Sequence, residues 1–178
     1  MIRRINLFAG PGAGKSVVAA KLFAELKIKG FNIELVTEYI KTWAYKKIVP
    51  ISYDQYYIFS KQTRAEDLFL SNGCDLIVTD SPLLMQLSYM KKYKKLPYES
   101  FFPIYRDYEI KYPSLNVFLN RSGIDYKQCG RYENEDEASQ MDESIKNDLK
   151  EFSLDFYEFN SIDFNSILYF VAEKVKQC

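Results

Sequence analysis

The chain has 178 residues, of which 24 are acidic and 24 basic. None is histidine, and 47% are hydrophobic. That apolar content excludes global disorder and suits one domain spanning 1–178; no apolar run approaches the ~20 residues of a membrane-crossing helix. Zero net charge gives no support to a non-specific coat for duplex DNA. The lack of histidine excludes Ser-His and Cys-His nucleophile schemes, leaving Asp, Glu, Lys, Tyr or Cys as general base.

In chain order, Ile2 to Phe8 reads as a strand running into a glycine-rich turn. Lys15 to Lys29 reads as a helix stopped by Gly30, and Asn32 to Thr37 as a second strand. Glu38 to Lys47 has a helical pattern ending before Pro50, and Tyr53 to Leu70 a longer one closed by Asn72-Gly73. Asp75 to Thr79 is a third strand, and Pro82 to Tyr93 a helix with proline in its first turn. Asn116 to Asn120 is a fourth strand. Met141, Ile145, Leu149 and Phe152 recur at helical spacing. Phe156 to Asn160 reads as a fifth strand. Phe164, Ile167, Leu168, Val171 and Val175 mark a terminal helix. Strands with apolar centres alternating with helices predict an α/β fold: a parallel sheet covered on both faces, with its ligands at the carboxyl ends of the strands.

Cys74, Cys129 and Cys178 lie far apart with no CxxC pair, the pattern of a reducing cytosol rather than of a zinc site or a disulfide framework. Met1-Ile-Arg-Arg-Ile-Asn runs directly into the first strand and leaves no room for a signal peptide, so a cytoplasmic address is expected, the host cytoplasm if the source is viral.

The most specific signal is Ala9-Gly-Pro-Gly-Ala-Gly-Lys-Ser16, between the first strand and the first helix. It fits the pattern G-x-x-x-x-G-K-[ST] with alanine at the first position. Small residues let successive backbone N–H groups close on phosphate oxygens, so Gly10, Pro11, Gly12, Ala13, Gly14, Lys15, Ser16 and Val17 are the expected nucleotide-binding residues. Lys15 reaches the β and γ phosphates, the Ser16 hydroxyl binds Mg²⁺, and the helix N-terminus adds positive potential. ATP and Mg²⁺ are therefore the expected cofactors.

Asp80 ends the third strand beside this loop, where a carboxylate holds Mg²⁺ through water; otherwise it caps the helix begun by Pro82. Glu38 ends the second strand and is the candidate general base for an acceptor hydroxyl, or else a first-turn glutamate favouring the helix dipole. Tyr39 and Trp43, one turn apart, either stack on an acceptor base or simply pack. Arg121 ends the fourth strand, and Arg131 follows a polar, Gly-bounded stretch. Both suit a mobile lid of about 121–139 that neutralises charge on a transferred phosphate, or else they pair with Glu133, Glu135 or Asp136. Lys91-Lys92-Tyr93-Lys94-Lys95 reads as a solvated helix end or as part of a groove for a polyanion. The 15 tyrosines, 13 phenylalanines and single tryptophan are core and surface filler, or a stacking platform for a base.

Ala9 to Ser16, Thr37-Glu38, Thr79-Asp80-Ser81-Pro82 and Arg121 with Gly130-Arg131 together resemble the P-loop kinases grouped with nicotinamide riboside kinase-like AAA-type domains. More distantly they are similar to deoxynucleoside kinases and polynucleotide 5′-hydroxyl kinases. Ile33 to Tyr39, Asp54 to Gln62 and Asp75 to Leu84 most resemble phage kinases acting on 5-hydroxymethyluracil in DNA. The resemblance implies a P-loop NTPase fold with a five-stranded parallel sheet of order 2-3-1-4-5. It implies Lys15 and Ser16 on ATP·Mg²⁺, Asp80 near the metal, Glu38 near the acceptor hydroxyl, and arginines on the lid. Ser81 stands where many nucleoside kinases carry arginine, which shifts the phosphate contact toward Arg121 and Arg131. The activity so implied is transfer of the γ-phosphate to a hydroxyl of a nucleobase in DNA. The alternatives are a kinase of a free nucleoside, nucleotide or nicotinamide riboside, and a nucleotide-binding switch or ATPase.

Overall fold

The computed structural model describes residues 1–51, 53–93, 97–127 and 131–176. Cys129, Cys178, Gly130, Lys94 and Lys95, singled out above, lie outside them. Five strands form one parallel sheet: β1 (Arg4–Phe8), β2 (Ile33–Val36), β3 (Leu76–Thr79), β4 (Ser114–Asn120) and β5 (Phe156–Asn160). Their spatial order is β2-β3-β1-β4-β5. In register, Ile5 faces Val78 on one side and Leu115 on the other.

Among the described residues there are seven α-helices: α1 (Lys15–Ile28), α2 (Lys41–Tyr45), α3 (Asp54–Ser71), α4 (Leu83–Tyr93), α5 (Phe102–Lys111), α6 (Glu135–Glu151) and α7 (Phe164–Lys176). Side chains alternate along a strand, so each strand feeds two cores. Ile5, Leu7, Val78, Val117 and Leu119 pack with Val18, Leu22 and Leu26 of α1 and Ile167 and Val171 of α7. Phe8, Ile77 and Phe118 face the other way, into Phe59 of α3, Leu84 of α4, Tyr105 of α5 and Ile145 of α6. Strands buried on both sides need continuous apolar runs, which is why Leu76-Ile-Val-Thr79 is apolar almost throughout.

Two segments depart from the sequence expectation. The helix anticipated from Glu38 to Lys47 is a short one over Lys41–Tyr45, followed by Lys47 in the left-handed region at φ 55°. That conformation ends a helix, and the chain then turns toward Pro50. The pattern assigned no element between Tyr93 and Asn116, yet Tyr98–Phe101 forms a 3₁₀ turn leading into α5.

The topology places the carboxyl ends of β1, β2, β3 and β4 on one edge. Gly10 to Ser16, Glu38, Asp80 and Arg121 are the residues that follow those ends.

Candidate active site

The loop between β1 and α1 is built by two glycines that only glycine suits. Gly12 and Gly14 lie at φ 85° and 82°, in the left-handed region. An ideal Cβ on Gly12 would come 2.7 Å from the Tyr126 ring, so the lid segment rests directly on the loop. One on Gly10 would come 2.3 Å from the Ala138 carbonyl oxygen, so α6 also abuts the loop backbone. Ala9 and Ala13 are buried, while Val17, in the first turn of α1, is exposed.

Lys15 Nζ donates to the carbonyls of Ala9 at 2.7 Å and Gly10 at 3.0 Å, which folds the ammonium across the loop. Burial pushes the Lys15 ammonium below the ordinary lysine range, opposed by Glu38, Asp80 and Asp142. The Ser16 hydroxyl donates to Asp80 Oδ2 at 2.6 Å. Asp80 is buried, and its other oxygen, Oδ1, is buried with no hydrogen-bond partner. A buried carboxylate oxygen with nothing to accept from is costly, and beside a hydroxyl it makes a hard-oxygen donor pair of the kind Mg²⁺ takes with substrate phosphates. Among the described residues no group of three or more His, Cys, Asp or Glu side chains gathers as a cage.

Glu38 is held by its surroundings rather than by a direct hydrogen bond from the loop. Gln62 of α3 receives the Tyr39 N–H on Oε1 at 3.4 Å and donates from Nε2 to Thr79 Oγ1 at 3.4 Å, bridging the ends of β2 and β3. Burial pushes the Glu38 carboxyl above the ordinary carboxylate range, partly offset by Lys15, while Asp80 adds to the rise. A base with a raised pKa is matched to proton abstraction near neutral pH.

Arg121 is not free on a lid. Its Nε donates to Asp142 Oδ2 at 2.7 Å, its Nη1 to the Pro11 carbonyl at 2.9 Å and its Nη2 to the Ala138 carbonyl at 3.0 Å. Of the acids named as alternatives for the arginines, none pairs with Arg121; its partner is Asp142. Arg131 lies with its guanidinium 5.4 Å from the centre of the Tyr126 ring, close to Gly12. Of the expected lid, the described residues 121–127 and 131–134 are irregular and the chain is helical from Glu135, where Asn134 and Glu137 form a reciprocal capping box, each bond 2.9 Å.

These parts enclose a cavity of about 500 Å³. The loop contributes Gly12, Lys15 and Ser16, the end of β2 contributes Glu38, and α2 with the following turn contributes Lys41, Tyr45 and Val49. Gln86, Tyr89 and Lys92 enter from α4, and Arg131, Tyr132 and Glu133 from the lid. The volume lies in the usual range of small-molecule sites. Tyr39 and Trp43 do not line it; they pack with Tyr57 instead, the Trp43 and Tyr57 rings stacking at 6.3 Å. Lys91 is tied to Asp148 at 2.8 Å and Glu151 at 2.9 Å, and Lys92 to Glu133 at 3.1 Å, so this part of the basic run is paired rather than open. Sequence patterns did not single out Gln62, Gln86, Tyr126, Tyr132 or Asp142.

Among curated proteins none matches this sequence. Solved structures do. The crystal structure of NadR protein in complex with NR superposes with a TM-score of 0.74 at 15% identity, over 97% of this chain and 51% of that one. A second NadR structure, in complex with NAD and AMP-PNP, gives 0.68 at 14% identity over 97% and 49%. The deoxyadenosine kinase from M. mycoides with bound dATP gives 0.57 at 16% identity over 97% and 99%. The chain thus spans about half the length of NadR, and at these identities the likeness is one of fold. No helix among the described residues is long and apolar enough to cross a membrane. A family model described as an AAA domain matches residues 4–166, and this P-loop chain belongs to that family.

Proposed function

We propose that this protein transfers the γ-phosphate of ATP·Mg²⁺ to a hydroxyl group of a nucleoside-type acceptor. The observation that carries the reading is the convergence on one cavity of Lys15 and Ser16 from the loop, Glu38 from the end of β2 and Arg131 from the lid. The structural neighbours add support: one is a kinase with bound dATP, and another was solved with AMP-PNP.

In this reading the loop amides and Lys15 hold the β and γ phosphates, and Arg131 meets the equatorial oxygens of the transferred group. Ser16 and Asp80 would hold Mg²⁺, which would supply neutralisation of the phosphate charge. Glu38 accepts the proton of the acceptor hydroxyl as its oxygen bonds to the γ-phosphorus. The bond from that phosphorus to the β–γ bridging oxygen breaks, and ADP leaves. Arg121, engaged with Pro11 and Asp142, shapes the loop from behind. A hydroxymethyl group on a base in DNA is the finer form of this acceptor class that the sequence expects.

Labelled ATP screened against nucleosides, nicotinamide riboside, 5′-hydroxyl oligonucleotides and hydroxymethyluracil-containing DNA decides the acceptor. Label should pass to at least one of them, with Glu38→Gln abolishing transfer. Acceptor-independent hydrolysis that survives Glu38→Gln would select the switch or ATPase reading instead.

A further inference from the structure

The stretch from Tyr39 to Arg64 has a charge unlike the rest of the chain. It carries five cations, Lys41, Lys46, Lys47, Lys61 and Arg64, against one acid, Asp54, an excess of four in a chain of zero net charge. All five are exposed; the Lys41 ammonium donates to the Ser16 hydroxyl at 3.3 Å at the cavity, which leaves Lys46, Lys47, Lys61 and Arg64 for the outer surface. The same stretch presents rings to solvent: Tyr45 is 62% exposed, Tyr53 69% and Tyr57 44%. Trp43 and Tyr57 lie nearly parallel, at 27°, and Tyr39 meets Tyr57 edge-on at 5.6 Å. Tyr57, Lys61 and Arg64 share one stripe of α3, which Tyr53 at the N-cap extends, with the Lys61 ammonium 5.2 Å from the centre of the Tyr57 ring.

This surface is continuous with the candidate active site. Lys41, Ala44, Tyr45 and Val49 line the cavity from the inner side of the wall whose outer side carries Trp43. Alternating cations and exposed aromatic faces are what a nucleic-acid strand with unpaired bases requires: the cations follow its phosphates and the rings stack on its bases. A duplex hides its base faces, and an acidic peptide has none, so the aromatic half of the pattern favours neither.

We propose that the 39–64 arm is a docking surface for single-stranded nucleic acid, which delivers the acceptor to the cavity as part of a polymer. The docking surface stands on charge and ring exposure; the delivery step rests on the kinase reading above.

Trp43 is the chain's single tryptophan, so its emission reports stacking on the arm directly. The probe is an oligothymidylate of about 20 nucleotides, titrated into the whole chain and followed by tryptophan emission and by anisotropy of a labelled strand. Binding should quench Trp43. It should weaken about 50-fold between about 50 and 200 mM salt if four phosphates are contacted. The exposed double change Lys46→Glu with Lys47→Glu should lower affinity at least about tenfold while leaving Mg·ATP binding unchanged. Tyr57→Leu should reduce the quenching more than the salt slope. Lys15→Ala should abolish phosphate transfer and leave strand binding intact.

Three results would overturn the proposal: no quenching or anisotropy change with the single strand, equal affinity for the matching duplex, or equal affinity for polyglutamate. Strand binding that behaves as expected in a protein that phosphorylates nothing would sink the kinase reading and leave the docking surface standing.

Discussion

The Asp142 carboxylate accepts from the backbone N–H of Gly10 at 2.5 Å and from Nε of Arg121 at 2.7 Å, so one side chain fastens α6 to both the phosphate loop and the end of β4. Both members of the ion pair are largely shielded, with 14% exposure for Asp142 and 19% for Arg121. Asp142→Ala leaves the Gly10 amide and the Arg121 Nε without their acceptor, while the Pro11 and Ala138 carbonyls keep the Nη atoms. The expected loss is about 1–3 kcal/mol of stability, read as a lower denaturation midpoint. Mg·ATP affinity should fall at least about tenfold because the loop loses its anchor, measured by titration calorimetry. If stability falls while nucleotide affinity holds, the loop is set by its glycines alone.

Lys15→Ala removes the ammonium folded across the loop and should cost at least about 10²-fold in transfer rate with the fold retained. Ser16→Ala deletes the hydroxyl partner of Asp80 and should shift the Mg²⁺ dependence of the reaction to higher concentration. Circular dichroism checks the fold, and steady-state kinetics over a magnesium series separates the two variants.

The Glu38 and Lys15 shifts give a pH profile with a definite sense. Transfer needs Glu38 ionised, and its pKa is raised, chiefly by burial, so the acid limb of kcat/KM should lie above the ordinary carboxylate range. It needs Lys15 charged, and its pKa is lowered, again chiefly by burial, so the alkaline limb should lie below the ordinary lysine range. Glu38→Asp should keep an acid limb at reduced rate. An acid limb unchanged in a still-active Glu38→Gln variant would assign the base to another group.

What was legible in the sequence follows from where the physics is local. Gly12 and Gly14 are read from sequence because only a residue without Cβ tolerates their backbone angles, and Lys15-Ser16 completes a pattern with few other uses. Leu76-Ile-Val-Thr79 is read as a buried strand because no helix face or exposed strand would be so uniformly apolar. Helix α5 was missed because its buried residues are tyrosines, Tyr105 and Tyr108, set among charged neighbours, and an amphipathic phenol blurs the apolar stripe. Asp142 was missed for a different reason. It is one acid among several between Glu133 and Glu143, and nothing local distinguishes the one that meets Gly10 from those that meet water. Tyr39 and Trp43 were expected one helical turn apart, but Tyr39 precedes α2; their rings still meet at 6.4 Å, and their common partner Tyr57 lies further along the chain, in α3, where spacing does not point to it.

The amino end of β1 carries a second buried charge network, remote in the sheet from the loop at its carboxyl end. Arg4 is fully buried. Its Nη1 lies 3.6 Å from Glu66 Oε2, and its Nη2 donates to Glu109. Glu66 is itself fully buried, and both its carboxylate oxygens lack hydrogen-bond partners, as does the nearby Tyr108 hydroxyl. Burial pushes the Glu66 carboxyl up to about 7, with Arg4 pulling the other way. The sign follows from proton linkage: the folded state holds a proton that the unfolded chain, with its ordinary carboxyl near 4.5, releases. Stability from this group is therefore greatest below about 4.5, declines as pH rises toward about 7, and levels off above. The full change is on the order of 3 kcal/mol. Glu66→Gln keeps the shape without a titrating proton, so the difference between the two proteins in urea midpoint should vary across that window and be flat above it. A difference independent of pH between about 4.5 and 7 would mean that Arg4 holds Glu66 ionised throughout, and that the pair is a plain buried salt bridge.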